Sequence, residues 1–250
     1  MSLPFFVEIF GFTLPTYTLF LALAVLLSGA WLCWQKRAVS LGALLNVQLG
    51  ALLGALLLAR IVHVVLNAPY FVDHVEEALR LDAGGLDWHG ALLGGLAGAA
   101  LVARWYTPRI DLRPVLDAFA PCVGLLALLT WGGCLAANCA YGLEVLSALG
   151  YPPLAIVETA DEVGTLAPRL NTYGAGMAFG GTLVLLALLL QWRAWLLYRR
   201  FWLMIALLSM GLLLIGCARG DDALRLLGLR ADQWLDALCW LFSLWRLHAR

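Results

Sequence analysis

The chain has 250 residues and no net formal charge, and 63% of its residues are hydrophobic while only 13% are charged. A soluble core of this size does not need so much apolar surface, so the composition excludes a soluble globular domain and predicts an integral membrane protein. It also argues against nucleic acid as a partner, which would need a basic face.

Seven stretches are long and apolar enough to cross a bilayer as helices, each of which needs about 20 mostly apolar residues. In chain order they lie at roughly 14–34, 43–66, 88–106, 116–137, 174–198, 201–217 and 231–247. The third and fourth are the least apolar, because both contain several glycines, which in such segments favour close helix packing over a loop. These glycines are Gly94, Gly95, Gly98, Gly124, Gly132 and Gly133. The predicted fold class is therefore all-α, with about seven transmembrane helices in one membrane domain covering residues 1–250.

The charges of the loops between these stretches alternate in sign along the chain. Short cytoplasmic loops retain Lys and Arg, whereas exported loops do not. The basic loops carry Lys36, Arg37, Arg104, Arg109, Arg113, Arg193, Arg199, Arg200, Arg246 and Arg250. The acidic loops carry Glu8, Asp73, Glu76, Glu77, Asp82, Asp87, Glu144, Glu158, Asp161, Glu162, Asp221, Asp222 and Asp232. The alternation predicts an N-terminus outside the cytoplasm and a cytoplasmic C-terminus, in a bacterial inner membrane. Residues 1–8 lack a basic region followed by a cleavage site, so no removable signal peptide is expected.

Two of the outward segments are longer than a simple connection requires. Residues 67–87 have helical periodicity with acids on one side, which predicts a segment lying along the membrane interface. Residues 138–173 form a polar stretch punctuated by prolines, and loops of that length usually carry function. We predict a small outward-facing head there.

Four of the six cysteines fall in or at the ends of apolar stretches, where a buried free thiol is expected: Cys33, Cys122, Cys217 and Cys239. Cys134 and Cys139 lie near the outer end of the fourth helix. They can pair only if that helix breaks between them, so no disulfide is expected here.

Ionisable residues inside spanning segments are costly and are candidates for function by default. The candidates are Arg60, His63, His89, Asp117 and Asp236, with Arg219 at the end of the sixth helix. Arg60 is either a structural ion-pair partner of a carboxylate such as Asp236 or an anion-binding residue, because the planar guanidinium suits phosphate. His63 is interpreted as a packing residue, whereas a neutral His89 can accept a proton from a nucleophile.

The same residue patterns exclude several classes of site. The only lysine, Lys36, lies in a predicted cytoplasmic loop, which excludes a retinal protein because that class needs a lysine within the bundle. No pair of His, Cys, Asp or Glu has metal-ligand spacing on one helix face, so neither a metal nor another cofactor is expected.

Several motifs together resemble the bacterial prolipoprotein diacylglyceryl transferase family. The segment "GGLDWHGALLGG" (84–95) is similar to the family's His-Gly segment, and "LARIVHVVLNAPYF" (58–71) to its second helix. "LDAFAPCVGLLALLTWGGCLAANCAYG" (116–142) resembles its fourth helix, and "CARGDDALRLLGLRADQWLDAL" (217–238) its last outward loop, with Gln233 matching. The resemblance covers nearly the whole chain in order.

The resemblance implies transfer of a diacylglyceryl group from phosphatidylglycerol to the lipobox cysteine of a preprolipoprotein, which forms a thioether and releases glycerol phosphate. It implies catalytic roles for His89, Arg219 and Tyr17. The residues expected to bind substrate are Arg60, Asp117, Asn138, Tyr141, Asp222 and Arg230. The partners it implies are phosphatidylglycerol, the lipobox peptide and the membrane.

The chain departs from the family pattern at positions that carry charge there. An arginine of the fourth helix is Trp131 here, and an arginine and a glutamate of the sixth helix are Leu212 and Gly216. The entry to the fifth helix, "RLNTYGAGM", keeps Arg169 and Thr172 and lacks the family's glutamine and glutamate. Losing one headgroup arginine costs on the order of 3 kcal/mol of transition-state stabilisation, or about a hundredfold in rate. Arg225 or Arg230 would have to substitute.

Two alternatives to an active transferase follow from these departures and from the composition. One is a catalytically degenerate paralogue that serves as a lipid-binding membrane subunit or scaffold. The other is a small-solute transporter, which ranks last because the sequence shows no inverted repeats or paired broken helices.

Overall fold

A computed structural model of the chain describes residues 6–9, 11–35, 39–80, 85–106, 110–161 and 163–249. Most of these residues are helical, as predicted. In chain order the helices are α1 (Thr16–Trp34), α2 (Leu41–Leu66), α3 (Ala68–Asp73), α4 (Trp88–Trp105), α5 (Arg113–Ala137), α6 (Thr172–Trp192), α7 (Arg200–Gly216) and α8 (Ala231–His248). The seven longest occur at the seven predicted stretches. The segment predicted to lie along the interface contains α3 and a 3₁₀ turn, Val75–Glu77.

Four helices of the described part of the chain have the length and apolar composition needed to cross a membrane: α1, α2, α5 and α6. Helix α7 is apolar and shorter, with 17 residues. Helices α4 and α8 do not belong to this set. Helix α4 has 18 residues and is rich in glycine, and α8 carries Asp232, Asp236 and Arg246.

The fifth predicted stretch is too long at its C-terminal end. It extends to residue 198, but α6 ends at Trp192. Ala194, Leu196 and Tyr198 have φ values of 53°, 53° and 63°. A right-handed helix cannot continue through residues in the left-handed region, so the chain turns there before α7 begins.

The structure also contains short strands that the all-α prediction missed. Three two-stranded antiparallel sheets pair β1 (Phe6–Ile9) with β2 (Phe12–Pro15), β3 (Ile156–Ala160) with β4 (Leu166–Leu170), and β5 (Arg225–Leu226) with β6 (Leu229–Arg230). The β3–β4 hairpin lies in the predicted head. Strands of two to five residues produce too short an alternation to be recognised beside helical stretches of 17 residues or more.

The chain divides into two compact units. The first unit comprises Met1–Ser28, Phe119–Asp222 and Asp232–Arg250, and the second comprises Gly29–Ala118 and Ala223–Ala231. Each unit is described by itself below.

In the second unit, α2 and α4 pack through glycines at backbone contact. A Cβ added to Gly54 would lie 2.2 Å from the carbonyl oxygen of Gly94, and one added to Gly98 would lie 2.0 Å from that of Gly50. Such distances leave no room for a side chain. The predicted close packing is therefore confirmed for Gly94 and Gly98, whereas a Cβ on Gly95 would meet its nearest neighbour only at 3.7 Å.

This contrast yields a prediction for two adjacent residues. We expect Gly94→Ala to destabilise the protein by about 3 kcal/mol, because an added Cβ would collide with backbone that cannot rotate away. Gly95→Ala is the matched control, since its Cβ would make only ordinary contacts, and its melting temperature should stay within about 1 °C of the parent. Thermal unfolding in detergent measures both. Equal destabilisation by the two substitutions would contradict this account of the α2–α4 contact.

In the first unit, glycines have the same role between other helices. A Cβ on Gly124 of α5 would lie 2.7 Å from the carbonyl oxygen of Gly180 in α6. A Cβ on Gly132 would lie 2.9 Å from the ring of Phe20 in α1, and a Cβ on Gly133 would lie 2.9 Å from the ring of Tyr17 in the same helix. The glycine interpretation of the fourth stretch is confirmed at all three positions.

Candidate functional site

In the second unit, an aspartate and a histidine pair at the start of α4. Asp87 caps the helix, and its carboxylate accepts hydrogen bonds from the backbone N–H groups of His89 and Gly90 at 2.9 and 3.0 Å. The same carboxylate lies 3.2 Å from Nδ1 of His89, whose side chain is only 2% exposed. This neighbour favours the tautomer with the proton on Nδ1, which leaves the lone pair of Nε2 as a base.

Burial tends to raise the pKa of the Asp87 carboxyl, but its hydrogen bonds and charge interaction with His89 outweigh burial and bring the pKa below its usual value. The carboxylate is therefore ionised throughout the neutral range and can stabilise a protonated imidazole. A histidine oriented by a neighbouring aspartate is suited to removing a proton from a nucleophile.

Arg60 of α2 forms hydrogen bonds with residues of the 67–87 segment, which is predicted to face outward. Its guanidinium donates hydrogen bonds to the backbone carbonyls of Ala78 at 2.9 Å, of Gly85 at 3.1 Å and of Glu77. The guanidinium carbon also lies 5.3 Å from the ring centroid of Phe71. Arg60 is 6% exposed, so a buried cation holds two distant parts of this segment against α2.

Two glycines on either side of His89 allow this part of the chain to approach α2 closely. Gly85 has a φ of +74°, and a Cβ there would lie 2.4 Å from Nε2 of His63 and 2.8 Å from Nη1 of Arg60. A Cβ on Gly90 would lie 2.3 Å from the carbonyl oxygen of Leu58. The backbone N–H of Asp87 donates to the carbonyl of Ala59 at 3.1 Å. The segment therefore binds the same turn of α2 that carries Arg60.

In the first unit, the substituted family positions lie in one aromatic cluster. Trp131, Cys134, Tyr141 and Tyr173 are buried together, with Tyr17 and Leu212 among the partly buried residues packed against them. Trp131 fills the space left by a glycine, because a Cβ on Gly176 would lie 2.2 Å from the indole ring. Trp131 and Leu212 thus contribute apolar contacts to one core cluster.

Gly216, the third residue that departs from the family pattern, also has a packing role. A Cβ on Gly216 would lie 2.9 Å from Cγ of Gln233, whose amide donates to the carbonyl of Leu213 at 2.9 Å. The glycine therefore makes room for a buried glutamine from α8.

Two arginines of the first unit are held by carboxylates. Arg219 pairs with Asp221 and, at 3.0 Å, with Asp232. Burial tends to lower the pKa of Arg219, and these carboxylates outweigh it and raise the pKa above its usual value. Arg169 pairs with Asp161 at 3.1 Å and lies over the ring of Tyr141 at 4.9 Å. Both guanidinium groups are therefore fixed in place beside the aromatic cluster or the last outward loop.

The disulfide prediction was wrong. Cys134 and Cys139 form a disulfide, because α5 ends at Ala137, between the two. Asn138 and Ala140 next to Cys139 have φ values of 51° and 57°. The amide oxygen of Asn138 accepts a hydrogen bond from the hydroxyl of Thr159 in β3 at 3.2 Å. The crosslink thus fixes the turn that leads from α5 into the head.

We expect Cys134→Ser combined with Cys139→Ser to lower the free energy of unfolding by about 2 kcal/mol, since the crosslink closes a loop of six residues. Thermal unfolding with and without reductant measures the loss, and reductant should have no further effect on the double variant. Cys33→Ser is the control, because Cys33 is an exposed free thiol. A double variant as stable as the parent would show that the disulfide does not order the turn.

The structure distributes the predicted site residues over both units. His89, Arg60, Asp117 and Arg230 belong to the second unit, and all four are buried. The first unit holds Arg219, Tyr17, Asn138, Tyr141 and the exposed Asp222. Their assignment as site residues remains a prediction.

The sequence analysis does not predict the contacts of two residues, Asp87 and Arg169. Asp87 was counted only among the outward acids, although an aspartate one residue before an apolar helix is a recognisable N-cap signal. The sequence indicates Arg169 as a retained motif residue and as one of several arginines that could bind a phospholipid headgroup, without its partners. Its contacts with Asp161 and Tyr141 are tertiary, so no local pattern reveals them. In the described part of the chain, no group of three or more His, Cys, Asp or Glu residues is arranged to hold a metal ion.

Comparisons with known proteins identify one family for the chain. The family model of prolipoprotein diacylglyceryl transferase matches residues 4–248. Three relatives, from Thermosynechococcus vestitus, Trichormus variabilis and Clostridium novyi, are each named phosphatidylglycerol–prolipoprotein diacylglyceryl transferase. They are 29%, 30% and 28% identical over 48%, 52% and 50% of this chain.

The aligned stretches cover 45%, 46% and 49% of those relatives, so the chain spans about half the length of the curated relatives it matches. The family model, in contrast, covers nearly the whole chain. The chain therefore belongs to the prolipoprotein diacylglyceryl transferase family.

Proposed function

We propose that this protein transfers the diacylglyceryl group of phosphatidylglycerol to the lipobox cysteine of a preprolipoprotein. The observation that carries the proposal is the buried His89, paired with the partly buried Asp87 next to the segment held by Arg60. The names of the relatives support the same donor and acceptor. They favour a transferase over a catalytically degenerate paralogue.

The proposed step is a substitution at the glycerol carbon that bears the phosphate. Nε2 of His89 accepts the proton of the cysteine thiol, because the thiolate is the nucleophile. A carbon–sulfur bond forms as the carbon–oxygen bond to phosphate breaks, and glycerol phosphate leaves. Arg60 and Arg219 are proposed to stabilise the charge of the leaving phosphate. No metal or other cofactor takes part in this scheme.

The proposal includes a membrane topology. We infer one transmembrane domain, 1–250, with seven crossings in the bacterial inner membrane, the N-terminus outside and the C-terminus in the cytoplasm. The sidedness of the loop charges supports this orientation, and so does the disulfide at the base of the 138–173 head, because disulfides persist in oxidising compartments. Substrates reach such a site from the membrane, and nucleic acid has no part in it.

The test is transfer in liposomes that contain labelled phosphatidylglycerol and a lipobox peptide. We expect label on the peptide thiol, with release of glycerol phosphate in equal amount, and no label on a control peptide that has serine in place of the cysteine. Mass spectrometry identifies the thioether. Absence of transfer from purified protein that retains bound phospholipid would overturn the transferase proposal and leave a lipid-binding paralogue.

A further inference from the structure

The β5–β6 hairpin of the second unit exposes an unusual number of leucines. Leu226, Leu227 and Leu229, called the leucine tip below, are 52%, 93% and 37% exposed. The register pairs Leu226 with Leu229 at the turn. Three exposed leucines in four residues exceed what a connection between two helices requires, and such patches on proteins mark interaction surfaces.

The turn between β5 and β6 places a leucine in a strained backbone conformation. Leu227 and Gly228 have φ values of 51° and 84°, which is the pattern of a type I′ turn. The first central position of that turn ordinarily holds Asn, Asp or Gly, because a larger side chain is strained at positive φ. At 93% exposure, Leu227 gains little from contacts with the described residues to offset that strain. A contact outside the protein would offset it.

The position of the hairpin in the chain identifies the partner. It joins α7 to α8, and its base is closed by a hydrogen bond from the N–H of Ala231, the first residue of α8, to the carbonyl of Leu224 at 2.8 Å. In the proposed topology both helices cross the membrane, so this connection stands at the outer membrane surface. We infer that the leucine tip inserts into the outer leaflet of the lipid bilayer.

Charge at the base of the hairpin supports the same partner. Arg225 precedes the leucine tip and is exposed. An arginine just above inserted apolar side chains lies at the level of the lipid phosphates, where its stem remains in apolar surroundings and its head contacts anions. A leaflet that contains phosphatidylglycerol supplies those phosphates. An anionic lipid surface therefore fits both the leucines and the arginine.

The β3–β4 hairpin provides a contrast within the same chain. Its turn is closed by Asp161, whose carboxylate accepts hydrogen bonds from the backbone N–H groups of Val163 at 3.1 Å and Thr165 at 2.8 Å. This is an ordinary polar turn, which the proposed topology places in water outside the membrane. Val163 is 81% exposed, so it matches Leu227 in exposure and in its place at a hairpin tip.

The experiment compares nitroxide labels at these two tips. Leu227→Cys and Val163→Cys are each made in a background in which the free thiols Cys33, Cys217 and Cys239 are replaced by serine. The labelled proteins are placed in liposomes of phosphatidylglycerol and phosphatidylethanolamine. Collision with oxygen, which concentrates in lipid, is compared with collision with a water-soluble nickel chelate by electron paramagnetic resonance.

We expect the ratio of oxygen to nickel accessibility to be at least fivefold higher at position 227 than at position 163. Equal ratios, or higher nickel access at 227, would overturn the inference by placing the leucine tip in water. Shielding from both reagents would overturn it in favour of a protein partner.

The inference depends on the proposed topology but not on catalysis, so its failure can be separated from failure of the proposed function. Reaction of the Val163→Cys variant with an impermeant maleimide in intact cells reports the topology alone, and the transfer assay reports the activity alone.

Discussion

Replacement of His89 by alanine is expected to reduce diacylglyceryl transfer by about 10²–10⁴-fold, the usual contribution of a positioned general base. The expected loss rests on the geometry, because His89 is buried and its Nδ1 is oriented by Asp87. In the proposed mechanism Nε2 accepts the thiol proton. The measurement is the initial rate of label transfer to the lipobox peptide at neutral pH.

Two further variants separate catalysis from folding. His248→Ala removes an exposed histidine at the end of α8 and should leave the rate unchanged. Asp87→Asn keeps the size of the orienting side chain but removes its charge, and we expect a rate loss smaller than that of His89→Ala. Transfer at the parental rate by His89→Ala would exclude His89 as the base.

Substitution of Arg60 by glutamine is expected to affect both stability and rate. The single amide nitrogen of glutamine cannot replace the three guanidinium nitrogens that donate to the carbonyls of Glu77, Ala78 and Gly85, and the unsatisfied carbonyls cost about 3 kcal/mol. In a chain of this size that corresponds to a fall in melting temperature of roughly 6–12 °C. We also expect at least a hundredfold loss of transfer, because the segment carrying His89 loses its anchor.

Two further variants test whether Arg60 acts through its charge or through the planar geometry of its guanidinium group. Arg113→Gln removes an arginine that is 73% exposed in its ion pair with Asp111, and it should cost less than about 1 kcal/mol. Arg60→Lys keeps the charge but loses the planar fork that reaches three carbonyls, so it should resemble Arg60→Gln. A fully active and stable Arg60→Lys would mean that only the charge matters.

The residues that replace charged residues of the family pattern pack against neighbouring side chains. Trp131 and Leu212 pack in one aromatic cluster with Tyr17, Tyr141 and Tyr173, and Gly216 accommodates Gln233. Restoring a single arginine at Trp131 would bury a cation among aromatic side chains and leave a void beside Gly176. We therefore assign the proposed phosphate contacts to other arginines, Arg60 and Arg219.

The membrane class, the places of the seven long helices, the close glycine packing of α4 and α5, and the family could all be predicted from the sequence. These features depend on apolar length, loop charge, residue size and ordered motifs, all of which are local along the chain. The end of α6 was misplaced, because turns with positive φ at Ala194, Leu196 and Tyr198 have no signal in an apolar stretch.

The contacts between side chains from distant segments could not be predicted without the folded structure. The Arg60 contacts join residues 17 to 25 positions apart, Arg169 meets Tyr141 across the head, and the Cys134–Cys139 bridge depends on where α5 ends. The partners of a buried charge are set by the packing of segments that are distant in sequence. Composition and periodicity specify which segments are buried, but not which atoms meet when they pack.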